Sequence, residues 1–196
     1  MLRIKQLSVK TLIFLTSILL TQTVNAGVIV DLIGDKDGFG IGIQDGEGFS
    51  YSDVGPGDGD GTDVWRNGDY IFSHTFDLTS FGSIVDATLE IFTGGQGLNG
   101  QSTVYLDGVN VGQLTDGDDT GPEYNYATLD IFQLTDFAAL LDNAAEIRID
   151  TVSSGDGWVL DYSELTIYTA DAQVPAPASV LLLGLAALGF VGYRRK

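Results

Sequence analysis

The chain has 196 residues, no cysteine, and 27 acidic against nine basic residues, for a formal net charge of −18. The absence of cysteine excludes thiol catalysis, zinc–thiolate sites and iron–sulfur clusters. Six of the cations (Arg3, Lys5, Lys10, Arg194, Arg195 and Lys196) lie at the two ends, so residues 27–172 hold only Lys36, Arg66 and Arg148 against all 27 acids, a net charge of −24; this excludes nucleic acid as a partner, because phosphate binding needs clustered Lys and Arg.

Residues 1–26 read as a signal peptide. A basic start is followed by an apolar run from Thr11 to Leu20, too short to span a bilayer, and then by the small-residue ending Val24-Asn25-Ala26. Cleavage is expected after Ala26. The body, residues 27–172, is one domain long enough to bury a core.

Its first strand is expected at Val28–Ile33. Gly34 to Asp69 follows as a long irregular segment rich in Gly and Asp, and such a segment inside a compact domain is usually functional or mobile. Within it, Asp58-Gly-Asp60-Gly-Thr-Asp63 is the best metal-loop candidate. Alternating Asp and Gly lets a tight loop turn several oxygens toward a calcium ion, which takes six to eight of them. Asp35-Lys-Asp37-Gly38 is a shorter echo, with Asp45 and Glu47 nearby. Neither completes the EF-hand pattern, and Asp-Gly pairs also form ordinary turns unaided. Calcium is therefore the one cofactor the sequence points to. Trp65, Tyr124 and Tyr126 lie in loop-like contexts and are candidate sugar contacts.

Beyond this segment the strand pattern is regular. Tyr70–Phe76 places Tyr70, Phe72 and Phe76 on one face, with His74 as a structural histidine on the same parity. Ile84–Phe92 alternates with period two, turning Val85, Ala87, Leu89 and Ile91 inward. Thr103–Leu106 and Val109–Leu114 are joined by Asp107-Gly108, a hairpin signal. Ala127–Phe132 and Glu146–Val152 are further strands, the latter with Ile147 and Ile149 inward. Thr135–Leu141 has a capping residue followed by helix formers and reads as a short helix. Trp158–Tyr168 is the last strand, with Trp158 expected in the core. Its apolar parity changes between Tyr162 and Leu165, which predicts a bulge near Ser163. Arg66 and Arg148 are expected to pair with surrounding acids. Together these segments predict an antiparallel β-sandwich, jelly-roll-like or immunoglobulin-like, between an N-terminal signal helix and a C-terminal hydrophobic helix.

The tail, residues 173–196, begins with Val174-Pro175-Ala176-Pro177, stiffened by its prolines. An apolar stretch from Ala178 to Tyr193 follows, 16 residues long, which as a helix reaches roughly 24 Å, short for a permanent span. Arg194-Arg195-Lys196 closes it and stays cytoplasmic by the positive-inside tendency.

This three-part tail resembles the PEP-CTERM sorting signal. Pro175, Pro177 and the basic trio match the motif, and the family's central Glu is Ala176 in this chain. The resemblance implies recognition by an exosortase, a membrane-embedded enzyme of Gram-negative bacteria, after a signal peptidase has removed the leader. It implies transient anchoring in the inner membrane and delivery to the cell surface or extracellular matrix, in association with exopolysaccharide. The body has no Gly-x-Ser-x-Gly elbow, phosphate loop or His-Glu-x-x-His sequence, so no catalytic residue is assigned. The expected function is that of an exported, non-enzymatic surface or matrix protein. The alternative is a carbohydrate-binding module with calcium-ordered loops, and behind it a secreted hydrolase.

Overall fold

The computed structural model describes residues 27–170, apart from Asp58, residues 119–124 and Ser153. The leader with Ala26, the tail with Pro175, Ala176, Pro177, Arg194, Arg195 and Lys196, and the candidates Asp58 and Tyr124 lie outside the described residues. Among the described residues, no helix is long and apolar enough to cross a membrane.

Among the described residues, ten strands form two antiparallel sheets. They are β1 (Gly27–Gly34), β2 (Gly48–Phe49), β3 (Arg66–Asn67), β4 (Tyr70–Thr75), β5 (Ile84–Gly94), β6 (Thr103–Leu106), β7 (Val109–Gln113), β8 (Asn125–Gln133), β9 (Ala144–Asp150) and β10 (Gly157–Thr169). One sheet runs in the order β1-β10-β5-β8-β2, with β3 paired to the start of β10. The other runs β4-β9-β6-β7.

The inward halves of the alternating strands meet between the sheets. Ala87, Leu89 and Ile91 of β5 face Val104, Leu106, Ile147 and Ile149 of the opposite sheet, with Leu160, Leu165 and Ile167 of β10 beside them. Trp158 is fully buried there, as expected, and its indole N–H donates to the Gly68 carbonyl. Fully burying one such side chain contributes about 1.5–3 kcal/mol. Asp107 and Gly108 both have positive φ, 47° and 79°, the two-residue turn whose twist suits a hairpin. Val85 departs from its expected inward place. It is 56% exposed, because the register slips there: Asp86 pairs with Tyr168 and Ile84 with Thr169, leaving Val85 as the extra residue, and Ile84 packs against the core instead.

The predicted helix shrinks to one 3-10 turn, Ala138–Leu140. Its N-cap is Phe137, without a side-chain cap, and the Asp136 carboxylate accepts from Ala138 N–H in the turn that leads in. Asn143 then turns the chain left-handed, φ 68°, one residue before β9, so too few residues remain for an α-helix.

A second, smaller core lies on the outer face of the larger sheet. The segment between β1 and β3 folds back over that face and inserts Phe39 and Phe49 against Phe92, Ala127, Val159 and Tyr162. Phe39 stacks on Phe92 with ring centroids 5.3 Å apart. The irregular segment is thereby anchored by its own apolar residues.

β10 alternates between the two cores and changes parity at a bulge. Leu160 pairs with Thr93 and Tyr162 with Phe92, leaving Asp161 as the extra residue. Before it, Trp158 and Leu160 face the main core; after it, Leu165 and Ile167 do. The bulge lies two residues before the expected Ser163.

Candidate functional site

Gly34 is where the site begins. It ends β1 opposite Tyr162 of β10 and adopts φ +85°, and a Cβ there would stand 2.0 Å from the Asp161 carbonyl oxygen. Only glycine permits this approach. The chain then turns across β10 at the bulge, bringing Asp35 and Asp37 over Asp161. Asp63 arrives from the other end of the irregular segment, its N–H donating to the Leu160 carbonyl at 2.8 Å.

Asp35, Asp37, Asp63 and Asp161 each place a carboxylate oxygen within 4.8 Å of all the others. Two ligands on opposite sides of a calcium ion, each at about 2.4 Å, are separated by about the same distance. Asp35 and Asp37 are exposed; Asp63 and Asp161 are buried. The cluster thus opens to solvent on one side and rests on the sheet on the other.

Local hydrogen bonds set the carboxylates. Asp35 accepts from Asp37 N–H at 3.2 Å, and Asp37 accepts from Gly40 N–H at 2.6 Å. Asp161 Oδ1 accepts from Phe39 N–H at 2.7 Å. Its Oδ2 has no hydrogen-bond partner among the described residues, although Asp161 is only 1% exposed. A buried, unpaired carboxylate oxygen is costly. Burial, reinforced by the charges of Asp37 and Asp35, pushes the Asp161 carboxyl up to about 6. Lys36, Phe39 and Asp63 all adopt left-handed backbone, φ 61°, 59° and 55°, a concentration of strain of the kind found at functional sites.

Lys36 sits between two of these acids in sequence yet turns away from them. Its ammonium pairs with Glu164 at 2.7 Å and Glu90 at 3.7 Å, above the Tyr162 ring. It therefore forms an ion pair with none of the four carboxylates. Asp60, the other described candidate, is not part of the cluster. Its Oδ1 accepts from Thr62 N–H and Oγ1 at 2.9 and 2.6 Å, the ordinary role of Asp in a tight turn, which holds its carboxyl below the usual carboxylate range. Asp45 and Glu47 are likewise occupied, by Leu129 N–H and Gln44 N–H. Asp161 was not foreseen, since by alternation it is an unremarkable polar residue in a strand; the parity change in β10 was the signal that could have found it.

Trp65 lies beside the cluster. Its indole rests against Gly95 and Gly157, where an added Cβ would come within 3.0 Å of the ring, and Tyr51 stands edge-on to it, ring centroids 5.1 Å apart at 86°. Tyr126 of β8 packs over Gly48 of β2 and takes no part in the Tyr51–Trp65 groove.

Arg148 pairs with Asp150 at 2.6 Å, as expected. Arg66 does not meet an acid among the described residues. It stacks on Tyr70, 3.7 Å from the ring centre, with Trp158 at 5.2 Å, and donates to the Gly61 and Val64 carbonyls. His74 donates from Nδ1 to Asp31 at 2.8 Å and accepts at Nε2 from the Ser163 hydroxyl at 2.9 Å. The trio has the order of a hydrolytic triad, but His74 and Ser163 are both fully buried between the sheets, where a substrate cannot meet the hydroxyl. Burial pushes the His74 imidazole below its ordinary value despite the neighbouring Asp31, so it is neutral at pH 7.

Residues 173–196 match the PEP-CTERM protein-sorting motif, and the body is assigned to no family. The motif implies a secreted protein with a C-terminal membrane-anchored sorting signal and processing by an exosortase. No curated protein matches the chain. Among solved structures, the chain is similar to BuGH86 in complex with neoagarooctaose (13% identity, TM-score 0.41, covering 78% of this chain and 20% of that one). It is also similar to dimeric latent PorU from Porphyromonas gingivalis (8%, 0.43, 76% and 13%) and to carbohydrate-binding module CBM36 in complex with calcium and xylotriose (11%, 0.34, 71% and 98%). The chain spans a fifth or less of the first two structures. Likenesses this distant carry neither a ligand nor an activity over to this chain.

Proposed function

We propose that this chain, which carries a PEP-CTERM sorting motif, is a non-enzymatic protein of the Gram-negative cell surface or extracellular matrix whose body is a calcium-ordered β-sandwich. The observation that carries the calcium reading is the convergence of four carboxylates from three separate parts of the chain, one of which, Asp161, is buried with an oxygen unpaired among the described residues. A hard divalent cation answers both features: it supplies the partner that Asp161 Oδ2 lacks and cancels repulsion that Lys36 leaves in place. Calcium suits the site better than magnesium, because it accepts irregular carboxylate-rich shells while magnesium demands tight octahedral geometry.

Export supports the same reading, since extracellular modules bind calcium at about 10⁻⁴ to 10⁻³ M, well matched to fluids outside the cell. The non-enzymatic reading is supported by the burial of His74 and Ser163. The test is thermal melting of the full chain in detergent, with millimolar calcium and with chelator. At tenfold excess over the dissociation constant, calcium adds about 1.4 kcal/mol, a rise of roughly 3–6 °C for a domain of this size. Identical midpoints remove the calcium reading.

A further inference from the structure

We propose that the groove between Tyr51 and Trp65 binds an uncharged polysaccharide, with a sugar ring against the Trp65 indole, and that the cation at Asp35, Asp37, Asp63 and Asp161 holds the groove in shape. The groove itself stands on its own geometry; its dependence on a cation rests on the calcium reading above.

The groove has a volume of about 420 Å³ and is bordered by Tyr51, Ser52, Val54, Val64 and Trp65, with Asp63 at one side. That lies within the roughly 300–1,000 Å³ of ordinary small-ligand sites. Tyr51 is 66% exposed and stands at right angles to the indole, so the two rings make a floor and a wall. A pyranose ring presents an apolar C–H face and a rim of hydroxyls. The face suits an aromatic floor; the hydroxyls suit the Ser52 side chain and the backbone of Gly55 and Gly57 that lines the same space.

Charge decides the class of sugar. None of the body's three cations borders the groove, and Asp63 does. A uronic-acid or sulfated polymer would meet an acid, with a body of net charge −24 behind it. Only an uncharged polymer approaches without that cost.

The coupling follows from how the groove is assembled. One border comes from residues 51–57, tied to the turn after Asp37 by Gly55 N–H donating to the Phe39 carbonyl at 2.9 Å. The other comes from Asp63–Trp65, and Asp63 is itself one of the four carboxylates. A cation drawing Asp35, Asp37 and Asp63 together fixes both borders relative to each other and reduces the ordering cost of binding.

Intrinsic fluorescence provides the test, because of the two tryptophans only Trp65 can touch a ligand, Trp158 being fully buried. The full chain, in a zwitterionic detergent that carries no sugar, is titrated with cellohexaose, xylohexaose and mannohexaose, and with an alginate hexamer as the charged counterpart, in calcium and in chelator. Calcium binding is measured by calorimetry on the same samples. We expect at least one neutral hexamer to shift the emission, with affinity at least tenfold lower in Tyr51→Ala and at least tenfold lower in chelator. Tyr51→Ala should leave calcium binding unchanged, which shows that the fold is intact. No response to any neutral hexamer, undiminished binding by Tyr51→Ala, or a preference for alginate overturns the groove. Sugar binding that ignores chelator while calcium still binds overturns the coupling alone; sugar binding with no calcium heat overturns the calcium reading and the coupling with it.

Discussion

Asp161 concentrates the energetics of the candidate site. It spends one oxygen on Phe39 N–H and holds the other inside the protein without a hydrogen bond among the described residues. Its carboxyl is raised to about 6, against an ordinary value near 3.8. Without a cation, the folded state therefore binds a proton more tightly than the unfolded chain. The stability this contributes is fully present below about pH 4 and is lost as pH rises through 6, a change on the order of 2–3 kcal/mol. His74 acts in the opposite sense. Its folded pKa lies below the unfolded value of about 6.5, so its contribution is present above pH 6.5 and is lost as pH falls. We expect Asp161→Asn to abolish the gain on acidification in chelator, leaving the loss from His74, and to raise the melting point at pH 7. Melting curves of both proteins between pH 4 and 8 check this, and parallel profiles contradict it. In calcium, the proton competes for the same oxygens, so affinity should weaken at least severalfold from pH 7 to pH 5, as calorimetry at the two values reads directly.

At the scale of elements, the site depends on a meeting of β1 and β10. The bulge puts Asp161 on the side where β1 ends, and Gly34 lets the chain turn over it. Gly34→Ala places a Cβ against the Asp161 carbonyl and forces an alanine to φ +85°, so we expect a loss of about 1–3 kcal/mol together with at least tenfold weaker calcium binding. A variant with unchanged melting and unchanged calcium affinity contradicts this origin of the site. Much of the architecture could be read beforehand from alternation: Ala87, Leu89, Ile91, Ile147 and Ile149 are all fully buried, and Asp107-Gly108 makes its hairpin. The parity change in β10 was equally visible, but parity alone says that an extra residue lies somewhere between two apolar runs, and the structure gives it to Asp161. That Asp35 and Asp37 would lie over that residue depends on β1 pairing with β10 across more than a hundred residues, and local pattern carries no such information. For the same reason Asp63 could be proposed as a ligand while Asp60 beside it, locally just as suitable, is used by its own turn. The 3-10 turn at Ala138–Leu140 shows the limit in the other direction: the helix formers are there, but no side chain caps the turn and the space before β9 decides the length.

At the scale of the molecule, a body with 27 acids and three cations repels itself. Sodium chloride should therefore raise the melting point in chelator as screening sets in over a Debye length of about 10 Å at 0.1 M. Calcium chloride at the same ionic strength should raise it further, because a bound ion at the cluster adds to screening. Equal effects of the two salts contradict a specific site. The outer-face core of Phe39, Phe49 and Phe92 keeps the irregular segment attached with or without the ion, so removal of calcium should leave the far-ultraviolet circular dichroism of the strands unchanged. The most direct measurement is calorimetric titration of calcium into the full chain beside its Asp161→Asn variant at pH 7. One ion per chain at a dissociation constant of about 10⁻⁴ to 10⁻³ M, lost in the variant, is the expected result; no saturable heat, or the same heat from both proteins, contradicts the account.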